Sequence, residues 1–205
     1  FIVGSLSPAW ARQIRELSDN GHEIGLHGHT HNSLSVLGAK KFKEELLLGK
    51  ETLEDISGVG VCGYRAPYFS LTEEAIWATD VLTESGFRFS SSVLPAWNPQ
   101  FGFPKAPRKP FLWKSGLVEF PVPTFGVGKL RLPLLGGAYL RLSPHMLFTA
   151  AKFIGSRRAY EWSYCHPYDF DTEAPFSRVG ESNWIFSKLI FAKRIAMYRR
   201  VRELV

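Results

Sequence analysis

The chain has 205 residues, 45% of them hydrophobic and 21% charged, the make-up of a globular domain with a substantial core rather than of a disordered protein. Its net charge is +6, with no run of about 18 apolar residues to cross a membrane and no nucleic-acid motif. The two cysteines, Cys62 and Cys165, lie outside any CxxC pair, so neither a disulfide framework nor a thiolate zinc site is indicated.

The opening "FIVGS" reads as a short buried strand, entered abruptly and without a leader, as though preceding sequence were missing. Residues 7–21 read as a helix with Ser7 as N-cap, Pro8 in the first position and Gly21 as stop, its Trp10, Ile14 and Leu17 recurring at helical spacing. "HEIGLH" is a second strand, followed by a histidine loop and a helix over 38–58 with Phe42, Leu46, Leu53 and Ile56 facing inward. Strand and loop "VCGYRAPYFS", a helix over 72–86 capped by Thr72, and strand "FRFSSSV" continue the alternation, which predicts parallel βα units. Catalytic groups then belong at the C-terminal ends of strands.

From Leu94 to Gly137 prolines and glycines interrupt short apolar pieces, which predicts strands joined by loops that shape a groove. A helix is expected over 143–155, and "AYEWSYCHPYDFD" reads as a late strand ending in a histidine loop. The basic tail "FAKRIAMYRRVREL" has helical spacing and is read first as the solvated face of a terminal helix.

Four of the six histidines fall within "GHEIGLHGHTH". His22, beside the helix-ending Gly21, is read as structural. His27, His29 and His31 alternate along an extended segment that Gly28 can bend. Two imidazoles four residues apart on such a bend can converge on one divalent ion at about 2.1 Å, with zinc the first choice and nickel, cobalt or iron chemically close. On spacing alone, a metal pair and a hydrogen-bonded loop stand level. Arg65, set beside a rigid Ala-Pro, and His166, which precedes Pro167 at a strand end, favour one hydrolytic site.

With these segments together the chain resembles a polysaccharide deacetylase of the carbohydrate esterase family 4 type, a group that includes chitin and peptidoglycan deacetylases. "HGHTH" matches the HxxxH metal motif, "RAPYFS" the Arg-x-Pro-aromatic motif and "YCHP" the late histidine, in the family's order. "GFRFSSSVLP", "GGAYLRLSP" and the tail resemble the bacterial branch associated with exopolysaccharides. The resemblance implies an α/β fold, a distorted (β/α) barrel whose first strand is missing here, as a single domain over 1–205. It also implies an open groove for a polysaccharide or oligosaccharide, and a location left open between bacterial cytoplasm and cell envelope.

The resemblance implies His27 and His31 as metal ligands, His166 as the acid that protonates the departing amine, and Arg65 as the residue that orients the catalytic base. Tyr68, Pro67 and Phe69 would line the substrate, with the Tyr68 backbone N–H near the developing oxyanion, and His29 would be a neighbour rather than a ligand. The implied metal is divalent, zinc first. Two departures stand out: no Thr-Phe-Asp-Asp type segment is present, so this stretch alone is expected to be inactive, and Ser90 stands where relatives often carry aspartate, with Asp169 and Asp171 as candidate substitutes. Three readings follow: an N-deacetylase for a surface or exported glycan, a related amidohydrolase for a small cyclic amide such as allantoin, and a glycan-binding relative without catalysis.

Overall fold

A computed structural model describes residues 1–155, 162–173, 175–176 and 184–204. These fall into two compact units, 1–122 and 123–205.

The first unit is built on five short strands: β1 (Gly25–Leu26), β2 (Gly63–Tyr64), β3 (Phe89–Ser90), β4 (Phe111–Leu112) and β5 (Val118–Glu119). They form one sheet in the order β1-β2-β3-β5-β4, parallel throughout except for the β4–β5 pair. The register aligns Leu26, Tyr64, Ser90 and Glu119 in one row across the sheet. His27, Arg65, Ser91 and Phe120 therefore follow one residue later, all at the C-terminal ends of their strands. The α/β class is the expected one, and β1 is flanked on its other side by a single parallel bridge from Ile2 to Leu26.

That bridge is all that remains of the strand expected at "FIVGS", because the backbone turns into a 3-10 helix over Gly4–Trp10. Ser7 is not an N-cap: its hydroxyl turns back and donates to the Gly4 carbonyl at 2.6 Å. The α-helix, α1 (Ala11–Asp19), starts only after Trp10, and of the predicted apolar stripe Ile14 is buried while Trp10 and Leu17 are exposed. The stop at Gly21 is as expected, with a φ of +81° that side-chain-bearing residues rarely adopt.

α2 (Leu34–Ser57) carries the predicted inward face, with Phe42, Leu46 and Leu53 buried and Ile56 packed against the same core. It breaks at Gly38 (φ 65°, ψ 170°), the residue from which the sequence pattern starts the helix, and ends on Gly58 in the left-handed region. α3 (Trp77–Glu84) is shorter than predicted, being preceded by a 3-10 turn at Glu73–Ala75. Thr72 does not cap it, since its hydroxyl donates to the Glu74 carboxylate at 2.8 Å. The core joins these helices to the sheet through Leu26, Leu34, Val61, Tyr64, Leu82 and Leu117, all fully buried.

The second unit is mostly helical: α4 (Gly137–Leu142), α5 (His145–Gly155), α6 (Pro167–Phe170), α7 (Trp184–Phe191) and α8 (Ala196–Leu204). Its core holds Phe125, Leu134, Leu135, Leu140, Phe148, Ala151 and Met197. The late strand reduces, among the described residues, to one bridge between Tyr164 and Gly136, and the segment then turns into α6; residues 159–161 of that expectation lie outside the described residues. α8 is not simply a solvated basic face. Arg200 is buried, stacks over the Phe148 ring at 4.4 Å and donates to the Ser143 carbonyl at 3.0 Å.

Candidate active site

His27 leaves β1 with its backbone N–H still in the sheet, donating to the Ile2 carbonyl at 2.8 Å. Its Nδ1 lies 2.8 Å from the Arg65 carbonyl oxygen. A carbonyl can only accept, so Nδ1 carries the proton and Nε2 keeps its lone pair. Burial pushes the His27 imidazole well below its ordinary value, to about 3, with the His31 and Arg65 charges adding to that fall against the Arg65 carbonyl bond. A neutral imidazole with one nitrogen anchored on a carbonyl is the form in which histidine binds a metal.

The loop then folds back. Gly28 has φ +69°, and a Cβ there would sit 3.2 Å from the Pro67 side chain, so both conformation and space call for glycine. His31 has φ 61°, an outlier for a side-chain-bearing residue, and its ring meets His27 edge to face at 4.9 Å between centroids. Backbone outliers of this sort cost roughly 1–3 kcal/mol and persist only where the surroundings impose them. Here α2 supplies the restraint: buried Glu45 accepts from the Thr30 hydroxyl at 2.6 Å and from its backbone N–H at 3.3 Å. His29 tucks its buried Nδ1 toward Gly4, where an added Cβ would come within 2.7 Å of it. His22 is exposed at the end of α1.

Arg65 leaves β2 one residue along the same edge. Its Nε donates to the Ser91 carbonyl at 3.2 Å and its Nη2 to the Ser91 hydroxyl at 3.0 Å, and the guanidinium lies 4.2 Å from the Phe1 ring and 5.6 Å from that of Phe69. Pro67 is buried. Tyr68 and Phe69 both have positive φ, of 60° and 54°. That geometry turns the Tyr68 ring, 53% exposed, against His31 at 4.9 Å on one side and parallel to Phe101 at 6.0 Å on the other. His27, His31, Arg65, Pro67, Tyr68 and Phe69 are thus brought together at one edge of the first unit.

His166 lies in the second unit, at the N-terminus of α6. Its backbone N–H donates to Asp169 Oδ2 at 2.8 Å, and its Nδ1 is 3.4 Å from the same oxygen. Asp169 and Arg141 form an ion pair whose side chains are both inaccessible to solvent. Burial alone would raise the Asp169 carboxyl, but the His166 bonds and the Arg141 charge outweigh it and hold the group below its usual range. The Asp169 carboxylate is therefore engaged by Arg141 and His166.

The carboxylate beside Ser90 is Glu119, which sequence reasoning missed. It is fully buried at the end of β5 and accepts from the Ser92 N–H at 2.7 Å, the Val93 N–H at 3.0 Å and the Trp113 indole at 3.3 Å, with Ser90 also bonded to it. Burial raises its pKa against the pull of these donors. The available signal was the single acid inside the apolar run "LVEFPVP".

Two imidazoles, an arginine and a Pro-aromatic turn thus stand on the C-terminal ends of the parallel strands β1 and β2, the place where α/β proteins carry their strand-end sites. Residues 1–89 match the model of the polysaccharide deacetylase family, and residues 91–205 match that of a domain of unknown function, DUF3473. The DUF3473 match extends over more than half of the chain, so the chain belongs to that family, and its first 89 residues are similar to polysaccharide deacetylases.

Among curated proteins, the peptidoglycan deacetylase of Helicobacter pylori is 28% identical over 94 residues, 46% of this chain and 31% of that protein. The chitooligosaccharide deacetylase of Sinorhizobium fredii is 30% identical over 86 residues, 42% of this chain and 37% of that protein. The matched stretch thus spans about a third of these relatives. In structure, the chain is similar to a "putative polysaccharide deacetylase" from Mycobacterium smegmatis, at a TM-score of 0.56 and 23% identity over 80% of this chain and 55% of that one, which bears on the fold.

The family boundary at 89–91 does not coincide with the boundary between compact units at 122–123. The DUF3473 region therefore contributes β4 and β5, and with them Glu119, to the sheet that carries the histidines.

Proposed function

We propose that the protein is a metal-dependent carbohydrate N-deacetylase acting on N-acetylhexosamine units of a bacterial surface or exported glycan. The observation that carries this reading is the His27–His31 pair, with His27 neutral and anchored through Nδ1 on the Arg65 carbonyl. The donor set suits a divalent ion, zinc first, because two imidazoles fill part of a tetrahedral shell and leave room for a carboxylate, water and substrate. Among the described residues no cluster of three or more His, Cys, Asp or Glu side chains forms.

In this reading a bound divalent cation supplies Lewis-acid polarisation of the acetamide and acidifies water. The chain's own residues do the rest. His27 and His31 hold the ion. The Tyr68 N–H faces the oxyanion that forms on attack, and Tyr68 and Phe69 offer rings against a sugar face. Arg65 orients the carboxylate that takes the proton from water, since a guanidinium keeps such a group ionised. His166, backed by Asp169, delivers a proton to the departing nitrogen, a step that is required because amines leave poorly as anions.

The test is acetate release from N-acetylglucosamine oligomers by the protein carrying this chain, with allantoin as the competing substrate. Acetate release with allantoin untouched is expected, and His166→Asn should lower it by roughly 10²–10⁴-fold, the usual contribution of a positioned acid. Turnover of allantoin alone would replace the reading with a cyclic-amide hydrolase. Glycan binding without any turnover would leave a binding protein.

A further inference from the structure

The Arg65–Ala66 peptide is gripped at both ends. Its carbonyl accepts from His27 Nδ1 at 2.8 Å, and its N–H, that of Ala66, donates to the Ser92 hydroxyl at 2.8 Å. Ser92 is itself held twice: its backbone N–H is bound by Glu119 Oε1 at 2.7 Å, and its hydroxyl oxygen lies 2.7 Å from that of Ser90, which also bonds the Glu119 carboxylate. Ser90, Ser92 and Glu119 are all buried, and Ala66 is fully so. A second path runs beside the first, from the Arg65 guanidinium to the Ser91 hydroxyl and from there to the Phe120 carbonyl at 2.9 Å.

We infer that Glu119, supplied by the DUF3473 region, is a positioning residue for His27, acting through Ser92 and the 65–66 peptide. The proposal rests on the reading of His27 as a metal ligand and adds to it the origin of that ligand's fixed orientation. A hydrogen-bond chain in a dry interior polarises along its length, so a carboxylate at one end strengthens the links that follow. The partner of a ligand histidine sets its tautomer and ring orientation, and loss of such outer partners costs 10–100-fold in affinity or activity in metal sites generally.

Ser90 acquires a role on the same grounds. An aspartate there would put a second carboxylate beside buried Glu119, whereas a hydroxyl can serve the carboxylate and Ser92 together. The link between β5 and β1 thus passes across the ends of β3 and β2, from the DUF3473 region to the histidine loop. It gives the first third of the DUF3473 region a function in building the deacetylase site.

The test reads the imidazole directly, by ¹⁵N-resolved NMR of the metal-free chain without substrate, so that its outcome is separate from that of the acetate assay. In the parent protein the His27 Nδ1 proton is expected as a slowly exchanging signal. Glu119→Ala and Ser92→Ala should each speed its exchange tenfold or more, whereas Glu119→Gln, which keeps an acceptor oxygen for Ser92 and Val93, should largely retain it. Leu82→Val, a core change on α3 outside the chain of bonds, serves as a stability control and should leave the signal unchanged. Folded Glu119→Ala and Ser92→Ala proteins with parental exchange would overturn the proposal, as would equal loss in Leu82→Val. Should Glu119→Ala fail to fold, Ser92→Ala decides alone.

Discussion

Glu119 in the first unit and Asp169 in the second are buried carboxylates tied to a candidate site histidine, the first through Ser92 and the 65–66 peptide and the second directly, and the two are stabilised in opposite ways. Glu119, in the first unit, faces only neutral donors: two backbone N–H groups, a serine and an indole. These do not fully compensate for burial, and its pKa stays raised. Asp169, in the second, has the full charge of Arg141 and the His166 bonds against it, and these outweigh burial so that its pKa is lowered. The comparison teaches that the same residue class serves as a hydrogen-bond anchor in one place and as half of an ion pair in the other, according to whether a cation shares the site.

The largest test of that difference is removal of the carboxylate. Asp169→Ala leaves the Arg141 guanidinium buried without its counter-ion and should cost about 3–5 kcal/mol. Glu119→Ala leaves neutral donors unpaired, at roughly 1–3 kcal/mol. Chemical denaturation of both variants checks the ranking, and a larger loss for Glu119→Ala would reverse it.

Smaller, and opposite in sign, are the pH effects. The folded chain holds a proton on Glu119 more tightly than the unfolded chain does, so stability from this group falls as pH rises from the ordinary carboxylate range toward its raised value. For Asp169 the unfolded chain binds the proton more tightly, so its stabilisation is present above the ordinary aspartate value and is lost as pH falls through the lowered one. Glu119→Gln should flatten the first limb and Asp169→Asn the second, each by at most ~1.4 kcal/mol per pH unit for one proton. Melting profiles across pH read this, and a variant that flattens the other limb would break the contrast.

Much of this arrangement was legible in the sequence. The alternation of β-like runs with helical periodicity gave the parallel order of β1, β2 and β3, and HxxxH with Arg-Ala-Pro located one strand-end edge. What escaped was decided by partners distant in the chain. "FIVGS" has strand composition, yet only Ile2 pairs, because Gly4 to Trp10 closes into a 3-10 turn. Trp10 and Leu17 match a buried stripe that this short helix does not bury. Glu119 sits at a strand position that alternation alone would assign to solvent, but Leu117 and Glu119 share the inner face, and only the partners at Ser90, Ser92, Val93 and Trp113 make a buried acid tolerable there. Positive φ at Tyr68 and Phe69 likewise has no signature in residue type, since aromatic residues rarely adopt it, whereas histidine at position 31 is a type enriched there.

The most direct measurement of the central claim is the metal dependence of acetate release from N-acetylglucosamine oligomers in the protein carrying this chain, read for the parent and for His27→Ala. The account predicts that chelation abolishes release, that added zinc restores it in the parent, and that zinc does not restore it in His27→Ala. Release that persists through chelation and is unchanged by His27→Ala would contradict it.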